Sequence, residues 1–323
     1  MLSLRERRRK AIYDLSNLAA AGLLLILFNK NLRLLKRPYV MKIQTVGVAG
    51  AGIMGQGIAT TSLLAGYRVL LYDIHPSKVE IAQGQIAAFL DASRQKEKIT
   101  PEAAQVALSN LTTTTVLTDV VAEVVIDAVP ENIELKQSLF KTLESVNSRE
   151  AILATNTSSL SITKIGGCLA HPGRFLGIHF FNPAPLMKLV EIVRCRMTTA
   201  ETIQTAQGFV QSLHKQAVLV QDSPGFIVNR IARFYYLESL RILEEGITTV
   251  QTMDQLLTAS GFRMGPFQLM DLIGIDTNHE VTKSMYHSFF GEPRFRPSWL
   301  QQQMVDAGKL GKKTGSGFYE YPS

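Results

Sequence analysis

Cysteine is scarce in this sequence. Cys168 and Cys195 are the only two among 323 residues. Two cysteines cannot build a disulfide framework, and these lack metal-ligand spacing. They read as small apolar fillers in a reducing compartment. Internal repeats and low-complexity segments are lacking too. A long apolar run is also missing: Leu18 to Phe28 is far shorter than the ~20 residues of a spanning helix. Finally, the body of the chain lacks an excess of either charge. The net charge is +7, and residues 1–40 carry all of it, with nine Lys/Arg against two acids. The remainder is neutral and has no net attraction for polyanions, so no nucleic-acid partner is expected.

Residues 1–40 combine a basic start with a short apolar core, as a signal or transit segment does. No small-x-small cleavage site follows Phe28. Met41 stands directly before the first expected strand, so a mis-assigned start is the favoured reading, with a transit segment as the alternative. The first reading implies a cytoplasmic protein and the second an organellar one. Membrane contact is expected only if this extension is retained.

What is present is an ordinary globular composition, 46% hydrophobic and 19% charged, able to bury a full core. β-rich runs fall at 43–48, 68–72, 124–128 and 151–155, with further candidates in "GRFLGIHFF", "KLVEIV" and "QAVLVQD". Helical stretches lie between them at 57–65, 77–109 and 135–146. The second of these is broken near "KITPEAA", where Thr100 can cap and Pro101 fits a first turn. This alternation predicts a parallel, doubly wound α/β sheet. After "DSPGF" the period becomes helical, with Phe234, Leu237, Leu240, Ile242 and Leu243 mainly at three- and four-residue steps. The expected organisation is an extension over 1–40, an α/β domain over 41–222 and an all-helical domain over 223–323.

"GAGIMG" is a G-x-G-x-x-G between a strand and a helix, the context this motif requires. Gly50 allows the tight turn, Gly52 lets backbone approach a pyrophosphate, and Gly55 lets helix and sheet pack closely. Ile53 and Met54 complete the loop at a helix N-terminus, which favours an anion. Asp73 ends the next strand, placed for a ribose 2′-hydroxyl. A carboxylate there repels a 2′-phosphate, so a Rossmann-type NAD site is expected in preference to NADP.

Six histidines occur, and His179 stands apart by context. It lies near the end of a strand in the dinucleotide-binding sheet, where ligands of open α/β sheets gather. Glu191 is on the next strand. An imidazole can take a hydroxyl proton near neutral pH while a carboxylate fixes its tautomer, so the pair suits oxidation of a secondary alcohol.

These motifs, with "PENIELK", "TNTSSLSI", "HFFNPAPLMKLVEIV", "DSPGFIVNR", "GPFQLMDLIGIDT" and "GKKTGSGFY" in that order, make residues 41–323 similar to the 3-hydroxyacyl-CoA dehydrogenases, notably the short bacterial 3-hydroxybutyryl-CoA type. Gln268 and Pro130 depart from the usual residues, away from the expected chemistry. The resemblance implies NAD-dependent, reversible oxidation of a short-chain (S)-3-hydroxyacyl-CoA, such as 3-hydroxybutanoyl-CoA, by a homodimer. It implies His179 as base with Glu191 as partner, and Ser158 and Asn229 at the substrate's reacting oxygens. It implies cofactor contacts from Glu131, Lys136, Asn182 and Lys313, with Ser158 also near the nicotinamide end. Coenzyme A is expected against the helical pair at 77–109, where Lys96 and Lys98 could meet its phosphates. The alternatives are a gulonate-type dehydrogenase of the lambda-crystallin branch, which shares fold and base but not coenzyme A, and an NAD-binding protein without turnover.

Overall fold

The structure, a computed structural model, describes residues 42–321. The expectations placed on residues 1–40 lie outside the described residues. Strand β1 (Thr45–Ala49) is buried at every position, as are β4 (Val124–Asp127), β5 (Ile152–Thr155) and β6 (Phe175–Phe180). Such unbroken burial is what helices on both faces of a parallel sheet impose, and it selects runs rich in Val, Ile and Leu over alternation. The remaining strands are β2 (Arg68–Tyr72), β3 (Leu111–Thr114), β7 (Leu189–Arg194) and β8 (Gln216–Gln221).

The sheet order is β3-β2-β1-β4-β5-β6-β7-β8. Strands β1 to β6 run parallel, β7 pairs antiparallel with β6, and β8 runs parallel to β7. The parallel sheet expected from the sequence is therefore present with a reversed end. The physical reason is the short link between β6 and β7, too short for a parallel crossover, which needs a dozen or more residues. Chain reversal at β1 lies between the β2 and β4 neighbours, so its C-terminal edge is the topological switch point where ligands of such sheets bind.

Helix α1 (Ile53–Leu64) opens directly from the glycine turn, four residues before its expected start. Helices α2 (Pro76–Gln95) and α3 (Pro101–Ser109) form the expected pair. Thr100 caps α3 through the Ala103 amide at 3.2 Å. β3 carries three threonines and no apolar run, so no strand was expected there. Helix α4 (Ile133–Val146) is capped by Asn132 at the Leu135 amide, 2.8 Å. Its Phe140 meets Phe175 of β6 edge-on at 4.8 Å, inside the core on one face of the sheet. The short helix α5 (Ile162–Gly166) and α6 (Ala200–Ser212) complete this part.

Beyond β8 the backbone turns through two positive-φ residues, Gly225 and Phe226, and enters α7 (Val228–Glu244). Helices α8 (Val250–Ala259), α9 (Pro266–Ile273), α10 (Ile275–Ser288) and α11 (Trp299–Asp306) follow, with no further strand in the sheet among the described residues. Their core gathers around Tyr236, Leu240, Phe267 and Met270. Buried Asp271 organises the end of the described chain. It accepts the Phe318 and Tyr319 amides at 3.0 Å each and the Tyr321 hydroxyl at 3.0 Å. A Cβ at Gly317 would collide with its carboxylate, which accounts for that glycine. No helix among the described residues is long and apolar enough to cross a membrane.

Candidate active site

The glycine turn and the sheet edge come first. The Gly50 amide donates to the Tyr72 carbonyl at 2.7 Å, drawing the end of β1 onto β2. Gly50 has φ +108°, open to glycine and costly for other residues. A Cβ on Gly55 would sit 1.7 Å from the Gly50 oxygen, so only glycine lets α1 approach the turn this closely. Gly52 differs: its backbone is ordinary, and a Cβ there would meet nothing within 4 Å. The space in front of it, at the N-terminus of a helix with no acidic residue in its first turn, can admit a pyrophosphate. Asp73 is buried at the end of β2 and accepts the Ala51 amide at 2.9 Å and the His75 amide at 3.0 Å. Each of its oxygens keeps a lone pair for a ribose hydroxyl. The residues present therefore fit an adenine dinucleotide.

His179 and Glu191 are register partners across β6 and β7. Directly opposed residues of an antiparallel pair have Cβ atoms ~5 Å apart, within reach of a side-chain hydrogen bond. His179 Nδ1 and Glu191 Oε2 are 2.8 Å apart, both residues buried. The other oxygen, Oε1, accepts the amides of Ile227 and Val228 at 3.0 Å each. Glu191 thus ties the sheet to the N-terminus of α7. Burial pushes its carboxyl pKa up, but the hydrogen bonds from His179 and from the two amides outweigh this and hold it below the usual range. A carboxylate only accepts, so it places the imidazole proton on Nδ1 and leaves the Nε2 lone pair free. The imidazole is flanked by Phe181 at 4.5 Å and Phe226 at 5.6 Å between ring centres, which restrain it and shield it from water.

A cavity of about 530 Å³ joins these parts. Ile53 and Met54 of the glycine loop line it, with Glu131, Ser158, His179 and Asn182 on the sheet side and Asn229 from α7. Its size is ordinary for a small-molecule site. A larger hollow of about 730 Å³ lies elsewhere, against α7, α10 and α11, and shares no lining residue with it.

Glu131 is held by neighbours from the loop after β5. Its Oε1 accepts the Thr157 hydroxyl at 2.7 Å and the Ser158 amide at 2.9 Å, and lies 3.4 Å from the Ser158 hydroxyl. Lys136 lines the cavity, but its ammonium is buried in an ion pair with Asp127 at 2.5 Å and lies 3.5 Å from Glu131. Burial drives the Asp127 carboxyl upward, and the Lys136 ammonium opposes that shift. Lys136 therefore supports the floor of the site through Asp127 and Glu131. Lys313, expected at the cofactor, instead pairs with Asp276 at 2.6 Å and is not among the lining residues. Lys96 and Lys98 are exposed at the end of α2, also outside the lining.

Several lining residues escaped the sequence reading: Asn156, Thr157, Phe181, Arg233, Tyr236 and Asn278. Asn156 had a signal, since it sits inside the "TNTSS" block, and its Oδ1 accepts the Phe180 amide at 2.7 Å, steadying the end of β6. Arg233 and Asn278 had none, because their meeting depends on how α7 and α10 pack.

Comparison with known proteins now decides the family. Residues 45–223 match the 3-hydroxyacyl-CoA dehydrogenase NAD binding domain, and residues 225–321 match the 3-hydroxyacyl-CoA dehydrogenase C-terminal domain. The chain belongs to the 3-hydroxyacyl-CoA dehydrogenase family. Its cofactor is accordingly NAD(H). It is 43% identical over 284 residues to the 3-hydroxyadipyl-CoA dehydrogenase of Escherichia coli K12, covering 87% of this chain and 60% of that longer protein. It is 37% identical over 283 residues to the probable 3-hydroxybutyryl-CoA dehydrogenase of Bacillus subtilis, covering 87% of this chain and 98% of that one. The crystal structure of (S)-3-hydroxybutyryl-CoA dehydrogenase from Ralstonia eutropha superposes with a TM-score of 0.84 at 37% identity, covering 87% of this chain and all of that one.

Proposed function

We propose that this chain catalyses the NAD-dependent, reversible oxidation of a short-chain (S)-3-hydroxyacyl-CoA to the 3-oxoacyl-CoA. The single observation that carries this reading is the buried His179–Glu191 pair, 2.8 Å apart, in the cavity that also receives the glycine loop.

A bound nicotinamide supplies hydride exchange at the substrate carbon. The chain's own residues manage the proton and the geometry. In the oxidative direction His179 Nε2 accepts the hydroxyl proton, and Glu191 stabilises the resulting imidazolium. In reduction His179 returns that proton to the developing alkoxide. Ser158 and Asn229 offer hydrogen bonds to the substrate oxygens, favouring the geometry in which charge develops. Phe181 and Phe226 keep water from the imidazole, which strengthens the pair. Asp73 favours NAD over NADP by repelling a 2′-phosphate. Glu131 and Asn182 orient the nicotinamide half, with Lys136 acting through Glu131. Neither Lys313 nor the Lys96–Lys98 cluster has support from the cavity lining, so their cofactor and coenzyme A roles rest on family resemblance alone.

The domain division at residue 222 and a homodimeric state belong to the same reading. Exposed Ile231, Phe234, Leu272 and Trp299 on the helical part suit self-association. The two free cysteines suit the reducing cytoplasm. The deciding assay follows NADH oxidation with acetoacetyl-CoA and longer 3-oxoacyl-CoAs, and NAD reduction with free gulonate-type acids. Turnover of the thioesters supports the reading. Turnover of the free acids alone would replace it with the gulonate-type activity, and silence with every substrate would leave an NAD-binding protein.

A further inference from the structure

Asn156 holds the end of β6 with one half of its side chain and leaves the other half unused. Strands β5 and β6 pair as far as Thr155 with Gly177, two residues short of His179. Beyond that point Asn156 bridges the sheet's C-terminal edge. Its backbone amide donates to the Asp127 carbonyl of β4 at 3.0 Å, and its side-chain Oδ1 accepts the Phe180 amide at 2.7 Å. The side chain thus stands in for a strand carbonyl and holds the residue next to His179. A backbone N–H only donates, so Oδ1 has to face Phe180, and the orientation of the carboxamide is fixed. The other end, Nδ2, is a donor with no partner among the described residues. It is not sealed either, unlike Asn278 Nδ2, which is buried and unpartnered. Asn156 is half-buried and lines the cavity, so its free donor opens there.

We propose that Asn156 is a cofactor-orienting residue whose Nδ2 donates to the carboxamide oxygen of the nicotinamide and favours NADH over NAD. The inference rests on the dehydrogenase reading above, which puts the nicotinamide beside His179, and it names a further residue of that same site. The sheet order supports it. Asp73 ends β2, and the glycine turn follows β1, so the adenosine half belongs to the β2 side of the switch point. The nicotinamide half belongs to the β4–β5 side, toward His179 on β6. Asn156 directly follows β5, one strand spacing of ~4.8 Å from β6.

The preference for NADH follows from where charge sits. In the reduced ring the nitrogen lone pair is conjugated with the carboxamide oxygen and adds negative charge to it. In the oxidised ring the nitrogen is cationic and draws charge away. A donor at that oxygen therefore binds the reduced form more strongly, which is a protein hydrogen bond tuning its cofactor. The same donor fixes the ring's rotation, because the carboxamide can meet it in one orientation only. Asn156 thereby couples two placements, the imidazole through Phe180 and the ring through Nδ2.

The test measures the Kd of NADH and of NAD on the full chain, by fluorescence titration and competition, for wild type, Asn156→Asp and Asn156→Ala. Working at about pH 8 keeps an introduced carboxyl ionised. Aspartate retains an oxygen for the Phe180 amide and replaces the free donor with a negative acceptor. The ratio of Kd for NADH to Kd for NAD should rise at least about tenfold in Asn156→Asp, because the carboxylate repels the carboxamide oxygen and attracts the oxidised ring. It should rise about threefold in Asn156→Ala, which loses one neutral hydrogen bond. A residue that only steadies β6 would change both constants alike and leave the ratio at its wild-type value. An unchanged or lowered ratio in Asn156→Asp would overturn the inference, and if that variant does not fold the alanine variant decides by the same criterion. NADH oxidation with acetoacetyl-CoA and longer 3-oxoacyl-CoAs runs alongside. Wild-type silence with all of them would remove the dehydrogenase reading and this inference together, whereas turnover with an unchanged binding ratio removes only the inference.

Discussion

Replacing Glu191 by Gln tests how the site sets the state of its imidazole. The substitution keeps shape and removes one acceptor oxygen. In the native site Oε1 takes two backbone amides at 3.0 Å each, and Oε2 faces His179 Nδ1 at 2.8 Å. A glutamine can leave its carbonyl on the amides, and its NH2 then donates to Nδ1. That moves the ring proton to Nε2, the atom that has to accept the substrate's proton. The reverse flip aims the NH2 at two amide donors and leaves them unsatisfied. Either arrangement fails on one side. Loss of proton transfer should lower kcat by ~10²–10⁴, or about 3–5.5 kcal/mol of transition-state stabilisation. The lost hydrogen bond and helix N-terminal charge should cost about 2–4 kcal/mol of folding stability. Steady-state NADH oxidation with acetoacetyl-CoA measures the first effect, and urea unfolding measures the second. A variant that folds and keeps kcat within about threefold of wild type would refute the tautomer argument.

Gly55→Ala should weaken NADH binding by tenfold or more and cost about 1–3 kcal/mol of stability, since its Cβ would strike the Gly50 oxygen; fluorescence titration and urea unfolding report both. Lys136→Met should be more damaging to folding, about 3–5 kcal/mol, because it leaves the Asp127 carboxyl, at 0% exposure, without its cationic partner; the unfolding midpoint reads this. The depressed Glu191 pKa has a pH consequence. Its contribution is complete above the ordinary carboxylate value of ~4.3 and is lost as the pH falls through the lower folded value. Wild type should therefore lose more stability than Glu191→Gln does as the pH falls from ~4.3 through the folded value, as unfolding curves at a series of acid pH values will show.

The glycine turn was legible because its requirements are local. A positive φ at Gly50 and an absent side chain at Gly55 act within six residues. The His179–Glu191 pair was legible because two strands joined by a short link bring their side chains into register. The reversal of β7 and β8 is a consequence of that same link and could have been read from its length. β3 was hidden by its threonines, whose strand preference gives no apolar pattern on a half-exposed edge. Lys136 and Lys313 each sit in a recognisable block, and the partner that each ammonium takes, Asp127 in one case and Asp276 in the other, is set by tertiary packing that the blocks do not encode. Arg233 and Asn278 were invisible for a different reason: they meet only through the packing of α7 against α10, which spacing along one chain does not encode.

The most direct test of the account is His179→Gln in the NADH-oxidation assay, with NADH affinity measured alongside. The account predicts turnover reduced by ~10²–10⁴ with NADH binding little changed, because the glycine loop and Asp73 hold the dinucleotide without the imidazole. Turnover near the wild-type rate would contradict it.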